Sequence, residues 1–281
     1  MTYSQLMEAG VNTLTDAGFE EARTDARALL FYVTGMDFMS FLRDGDSEVP
    51  KEQEEWFYSV LKERIKHVPV QYIIGEQEFC GLRFCVEPGV LIPRPETELL
   101  AEAVFTQCAG KRVLDMCTGS GCIAVTVAKF GMPEFVAASD YSTEALAVAE
   151  KNAEKNEVSV TFFQGDLFAN VEGRYDIIVS NPPYIRSDVI ETLMPEVRDY
   201  EPRLALDGTA DGIYFYRRIV KEAKEYLNPG GRLMFEIGHD QGEDVSGLLR
   251  EAGYHSVEVK KDYAGLDRMV FAVWPGVNKE I

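Results

Sequence analysis

The sequence predicts an α/β protein, with a mostly parallel sheet covered by helices on both faces and a small helical segment ahead of it. From Lys111 onward, short apolar runs alternate with amphipathic stretches, as in successive strand-helix units. The first 70 or so residues show helical periodicity alone. The chain has 281 residues, 46% hydrophobic and 27% charged, enough for one large or two modest domains with ample core.

Residues 4–17 carry Leu6, Val11 and Leu14 at near-helical spacing, with Gly18 placed to cap the end. Residues 21–34 repeat the pattern through Ala26, Leu29, Leu30 and Val33, closed by Gly35. Pro50 opens a third helix, with Trp56, Val60, Leu61 and Ile65 assigned to one face. Residues 78–86 read as a hairpin turning near Gly81, and a helix follows from about Thr97. Strands are then expected at 112–115, 135–140, 160–163, 176–180 and 232–237, with two closing strands at 256–260 and 269–274. Helices are expected at 122–129, 143–156, 212–226 and 245–252.

No apolar run approaches the ~20 residues that span a bilayer, and the amino terminus lacks the basic head and apolar core of a signal peptide. A cytoplasmic protein without membrane contact is expected. Five cysteines, an odd number, suit that compartment as reduced thiols. Cys80 and Cys85, and Cys117 and Cys122, lie five apart, but the three histidines are distant in sequence and no metal is expected. A net charge of -19 with no basic cluster argues against a broad grip on nucleic acid.

Ligands of such sheets bind outside the carboxyl ends of the strands. The first strand of the sheet ends in Asp115-Met116-Cys117-Thr118-Gly119-Ser120-Gly121, where glycines allow a sharp turn and close backbone approach. The GxGxxG spacing of dinucleotide sites is missing, and no Gly-Lys-Ser/Thr follows to make a phosphate loop. Asp140 ends the second strand, placed to accept hydrogen bonds from both hydroxyls of a ribose. Asp166 follows the third, where an adenine amine could donate to it. An adenosine-bearing ligand without pyrophosphate fits these positions, and S-adenosylmethionine is the obvious choice.

The fourth strand runs into Asn181-Pro182-Pro183-Tyr184-Ile185, where two prolines end the ladder because neither donates a hydrogen bond. Further segments are Leu91-Ile92-Pro93-Arg94-Pro95-Glu96-Thr97-Glu98, Tyr200-Glu201-Pro202 with Ala205-Leu206, and Phe235-Glu236-Ile237-Gly238 with Gln241-Gly242. With these the chain resembles, over essentially its whole length, the HemK/PrmC family of release-factor glutamine methyltransferases. Asn-Pro-Pro-Tyr is shared with methyltransferases acting on adenine, and the Ile-Pro-Arg-Pro-Glu-Thr-Glu segment narrows the match.

The resemblance implies a Rossmann-like, seven-stranded class I methyltransferase domain over 96–281, a hairpin hinge over 76–95 and a helical substrate-recognition domain over 1–75. It implies S-adenosyl-L-methionine as methyl donor, S-adenosyl-L-homocysteine as product, and the Gly-Gly-Gln loop of peptide chain release factors as substrate. A monomer is expected. The cofactor would be met by Asp115, Cys117, Thr118, Gly119, Ser120, Gly121, Asp140, Asp166, Leu167 and Asn181. Asn181, Pro182, Pro183 and Tyr184 would hold the substrate glutamine, with Asn181, Pro182 and Tyr184 catalytic. Cys117 and Thr209 stand where the family usually has glycine. The alternative is an adenine-amino methyltransferase acting on DNA or RNA, which would use the same corner on a flipped base.

A carboxamide nitrogen is a poor nucleophile because its lone pair is delocalised into the carbonyl. It must be aimed at the methyl group while charge develops on it. The Asn181 side-chain oxygen and the Pro182 carbonyl can each accept one amide hydrogen, and prolines add no competing donor. Tyr184 can pack on the planar amide.

Overall fold

The alternation seen from Lys111 onward becomes a seven-stranded sheet, and the computed structural model describes residues 1–276. The chain divides into two compact units, Met1–Gly75 with Pro195–Tyr200, and Glu76–Met194 with Glu201–Ile281.

The first unit holds α1 (Tyr3–Asp16), α2 (Ala22–Thr34), α3 (Phe38–Asp44), α4 (Lys51–Ile65) and α5 (Val70–Ile74). Thr2 and Gln5 form a reciprocal capping box at the start of α1, and Gly35 closes α2 in the left-handed conformation. Leu6, Leu14, Leu29, Leu30, Phe57 and Leu61 make a fully enclosed core. The α4 face differs from the expected one: Phe57, Val60, Leu61 and Arg64 point inward, while Trp56 and Ile65 are exposed. Residues nine apart lie about two and a half turns apart, on opposite sides of a helix. Trp56 instead meets Tyr32 edge-on. Buried Arg64 donates to Asp25 at 2.7 Å and Glu196 at 3.1 Å and lies over the Phe19 ring, so segment 195–200 docks in this unit on a satisfied charge.

The second unit opens with the hairpin β1 (Glu76–Phe79) and β2 (Leu82–Cys85), turned by Cys80 and Gly81, both at positive φ. After α6 (Pro95–Phe105) come β3 (Arg112–Met116), α7 (Cys122–Phe130), β4 (Phe135–Asp140), α8 (Thr143–Lys155), β5 (Thr161–Gln164) and β6 (Tyr175–Ser180). Three one-turn helices follow, α9 (Ser187–Ile190), α10 (Pro195–Arg198) and α11 (Arg203–Leu206), α10 belonging to the first unit. The chain continues through α12 (Tyr214–Glu222), β7 (Leu227–Glu236), α13 (Gly242–Glu251), β8 (His255–Lys261) and β9 (Asp267–Val273).

The strand order is β5-β4-β3-β6-β7-β9-β8, parallel up to β7 and antiparallel for the last two pairings. Val113, Ile177, Val179 and Met234 face one layer with α6 and α7, while Leu114, Ile178, Leu233 and Phe235 face the other with α12 and α13. β7 starts five residues before the expected strand. Asn228-Pro229-Gly230-Gly231, left between the expected helix and strand, is absorbed as an irregularity in the pairing with β6. The chain leaves β3 for β4 and β5 on one side and returns through β6 and β7 on the other. The loops after β3 and β6 therefore meet at a topological switch point.

Candidate active site

The loop after β3 is built on a buried carboxylate. Asp115 Oδ2 accepts from Thr118 Oγ1 at 2.5 Å and the Ala124 amide at 3.1 Å. Burial nevertheless pushes its pKa up to about 7, and no described residue donates to Oδ1. Cys117, Gly119 and Gly121 all adopt positive φ. At Gly121 a Cβ would meet Ala149 Cβ at 3.0 Å and Cα at 3.2 Å, so only glycine lets this turn lie against α8. Buried Asn152 ties the loop to the hairpin, donating to the Ser120 and Cys85 carbonyls and accepting from the Cys85 amide.

Asp140, at the end of β4, accepts from the Gly119 amide at 2.8 Å and the Ser142 amide at 2.9 Å, one on each oxygen. Burial raises its pKa against these lowering bonds. After β5, Leu167 is buried at φ 51°, with its carbonyl accepting from Ser139 Oγ at 3.1 Å. The Asp166 carboxylate pairs with Arg218 at 2.9 and 3.1 Å.

These loops enclose a cavity of about 390 Å³. Of the sequence-predicted residues, Cys117, Gly119, Asp140, Asp166, Leu167, Asn181 and Pro183 line it. Asp115, Thr118, Ser120 and Gly121 shape the loop without lining the cavity, and Pro182 and Tyr184 lie off it. Sequence reading missed Tyr141, Tyr214, Phe215 and Arg218, which follow β4 or lie on α12 and carry no motif. It also gave no role to Pro202 and Leu204. These reach the rim because Glu201 accepts from Arg94 and the Ile92 amide, drawing the two segments together.

At the end of β6 the second constellation appears. Asn181 Nδ2 donates to Thr97 Oγ1 at 3.3 Å, and Thr97 Oγ1 donates to Glu236 Oε2 at 2.7 Å. The Tyr184 hydroxyl donates to Glu236 Oε1 at 3.3 Å. Glu236 is 1% exposed, and burial pushes its pKa up to about 7. Burial also raises the Tyr184 phenol, which stays protonated as a donor. Gln241 Nε2 donates to the Tyr184 carbonyl at 2.9 Å and that of Gly212 at 3.2 Å, and a Cβ at Gly208 would collide with Tyr184 Cα. Asn-Pro-Pro-Tyr is thus clamped from both sides, with Asn181 among the residues that line the cavity.

Two family models match, the PrmC N-terminal domain over residues 5–75 and the methyltransferase small domain over 83–196. The release factor glutamine methyltransferase of Geobacter sulfurreducens is 44% identical, with 92% of this chain and 91% of that protein covered. The one of Clostridium acetobutylicum is 40% identical, at 95% and 96% coverage. The chain belongs to the release factor glutamine methyltransferase family. Among solved structures, a methyltransferase from Pyrococcus furiosus matches with TM-score 0.53 and 24% identity, covering 70% of this chain and 91% of its own. That likeness establishes the class I methyltransferase fold for this family member. Among the described residues no cluster could hold a metal, and no helix is long and apolar enough to cross a membrane.

Proposed function

We propose that this chain transfers a methyl group from S-adenosylmethionine to the side-chain amide nitrogen of the glutamine in the Gly-Gly-Gln loop of peptide chain release factors. The observation that carries the reading is the clamped Asn181 at the cavity wall, with its donor end engaged by Thr97. The cavity suits the cofactor: it has an apolar floor at Leu167, and the paired carboxylate oxygens of Asp140 each keep a lone pair for a ribose hydroxyl. The cofactor supplies an electrophilic methyl group on a sulfonium sulfur.

The chain's own residues orient the nucleophile. Asn181 Oδ1 and the Pro182 carbonyl each accept one hydrogen of the substrate amide, which aims the nitrogen lone pair into the cavity and favours charge developing there. Because these acceptors are held by the surrounding bonds, little reorganisation is needed during transfer. The enzyme works as a monomer in the cytoplasm, and the helical unit contributes to recognition of the factor. Its α3 leaves Phe38, Met39 and Leu42 exposed, a surface that a protein substrate could cover.

Incubating the purified chain with a release factor and S-adenosylmethionine, then mapping peptides by mass spectrometry, tests the reading. The Gly-Gly-Gln peptide should gain the mass of one methyl group. Transfer to DNA or RNA with the factor untouched would reject it.

A further inference from the structure

We propose that Thr97 and Glu236 are positioning residues that fix which end of the Asn181 carboxamide faces the substrate. The inference rests on the reading that Asn181 accepts a hydrogen bond from the substrate amide. A side-chain amide is nearly symmetric in shape but opposite in hydrogen-bond sense at its two ends. Rotating it by half a turn costs no space, yet would present an N–H to a substrate nitrogen that itself carries hydrogens. Two donors would then face each other at the reacting atom. Something must exclude that orientation.

The Thr97 hydroxyl has a single proton. It lies 2.7 Å from Glu236 Oε2, and in its ionised form Glu236 attracts that proton more strongly than a neutral amide oxygen does. What Thr97 has left to offer Asn181 is a lone pair, and only Nδ2 can use it, at 3.3 Å. The polarity of the chain therefore runs Asn181 to Thr97 to Glu236, and Oδ1 is turned away from Thr97. Glu236 is held in turn by the Tyr184 hydroxyl at 3.3 Å, so one buried carboxylate anchors both ends of Asn-Pro-Pro-Tyr. A role in merely fastening α6 to β7 explains less. Leu100, Ala101 and Val104 already bury that helix against the sheet, and a carboxylate is a costly way to add to them.

The test is a double-mutant cycle on single-turnover methylation of a release factor at saturating S-adenosylmethionine. Thr97→Val keeps the volume and removes the hydroxyl, and it should slow transfer about tenfold, the scale of one hydrogen bond. Cofactor affinity should be unchanged. Thr97→Ser, which keeps the hydroxyl, should restore the rate to within about threefold of the parent. Asn181→Ala alone should be slow. Adding Thr97→Val to it should cost no more than about twofold further, because the group being oriented is gone. Should Thr97→Val fail to fold, as judged by thermal melting, Thr97→Ala makes the same comparison with less bulk. Equal losses from the Thr97 change with and without Asn181 would overturn the inference. A normal rate for Asn181→Ala would reject the underlying role of Asn181, a separate failure.

Discussion

At the scale of single residues, the site is organised by carboxylates that are buried but engaged. Glu236 carries the clearest consequence for pH. Its pKa is about 7 in the folded chain against an ordinary value of 4.5, with burial the main cause, opposed by the bonds from Thr97 and Tyr184 and by the charge of Arg268. Folding thus favours its protonated form. Stability from this group is fully present below about 4.5 and is lost as pH rises through 7. Glu236→Gln removes the titration, so its stability relative to the parent should climb between pH 5 and 8, by at most on the order of 3 kcal/mol. Thermal melts of the two proteins across that range check this, and a constant difference would mean that Glu236 ionises as freely folded as unfolded.

At the scale of elements, much was legible because the central strands β3, β4 and β6 are short apolar runs bounded by turn residues. The segment at 135–140 is a strand with those limits, and Gly35 caps its helix where the periodicity stops. Less legible were the elements whose pattern is ambiguous. The early start of β7 hides behind Pro229-Gly230, and α3 is too short for periodicity to declare. The Asn181 corner and the loop from Cys117 to Gly121 were readable from their residues. Tyr214 and Arg218 were not, since their role comes only from α12 lying across the mouth of the cavity. The role of Thr97 was equally hidden, because its partners lie 84 and 139 residues away. The loop from Asp207 to Gly212 supplies a test of backbone strain. Thr209 sits at φ 73°, where a β-branched residue is strained, and its exposed side chain makes no described bond. Thr209→Gly should raise stability by up to about 1 kcal/mol, strain relief exceeding the entropy of the added glycine. Denaturant unfolding measures it, and a clear loss would show that the threonine side chain is holding the turn.

At the scale of the whole molecule, the proposed division gives the chemistry to the second unit and recognition of the factor to the helical unit. Every residue lining the cavity belongs to the second unit, while the helical unit has its own core and no lining residue. A chain beginning at Glu76 should still bind S-adenosylmethionine, as calorimetry would register, yet methylate the intact factor at least tenfold more slowly. Full-rate methylation by that truncated chain would remove the helical unit from recognition. The central claim, that the corner after β6 aims a glutamine nitrogen at the methyl donor, is tested most directly by single-turnover methylation of a release factor with the parent and Asn181→Ala at saturating cofactor. The account predicts a loss on the order of 100-fold or more in transfer, with cofactor affinity nearly unchanged, because the lost bond strengthens toward the transition state. Transfer at a near-normal rate by Asn181→Ala would contradict it and leave the corner as only a turn.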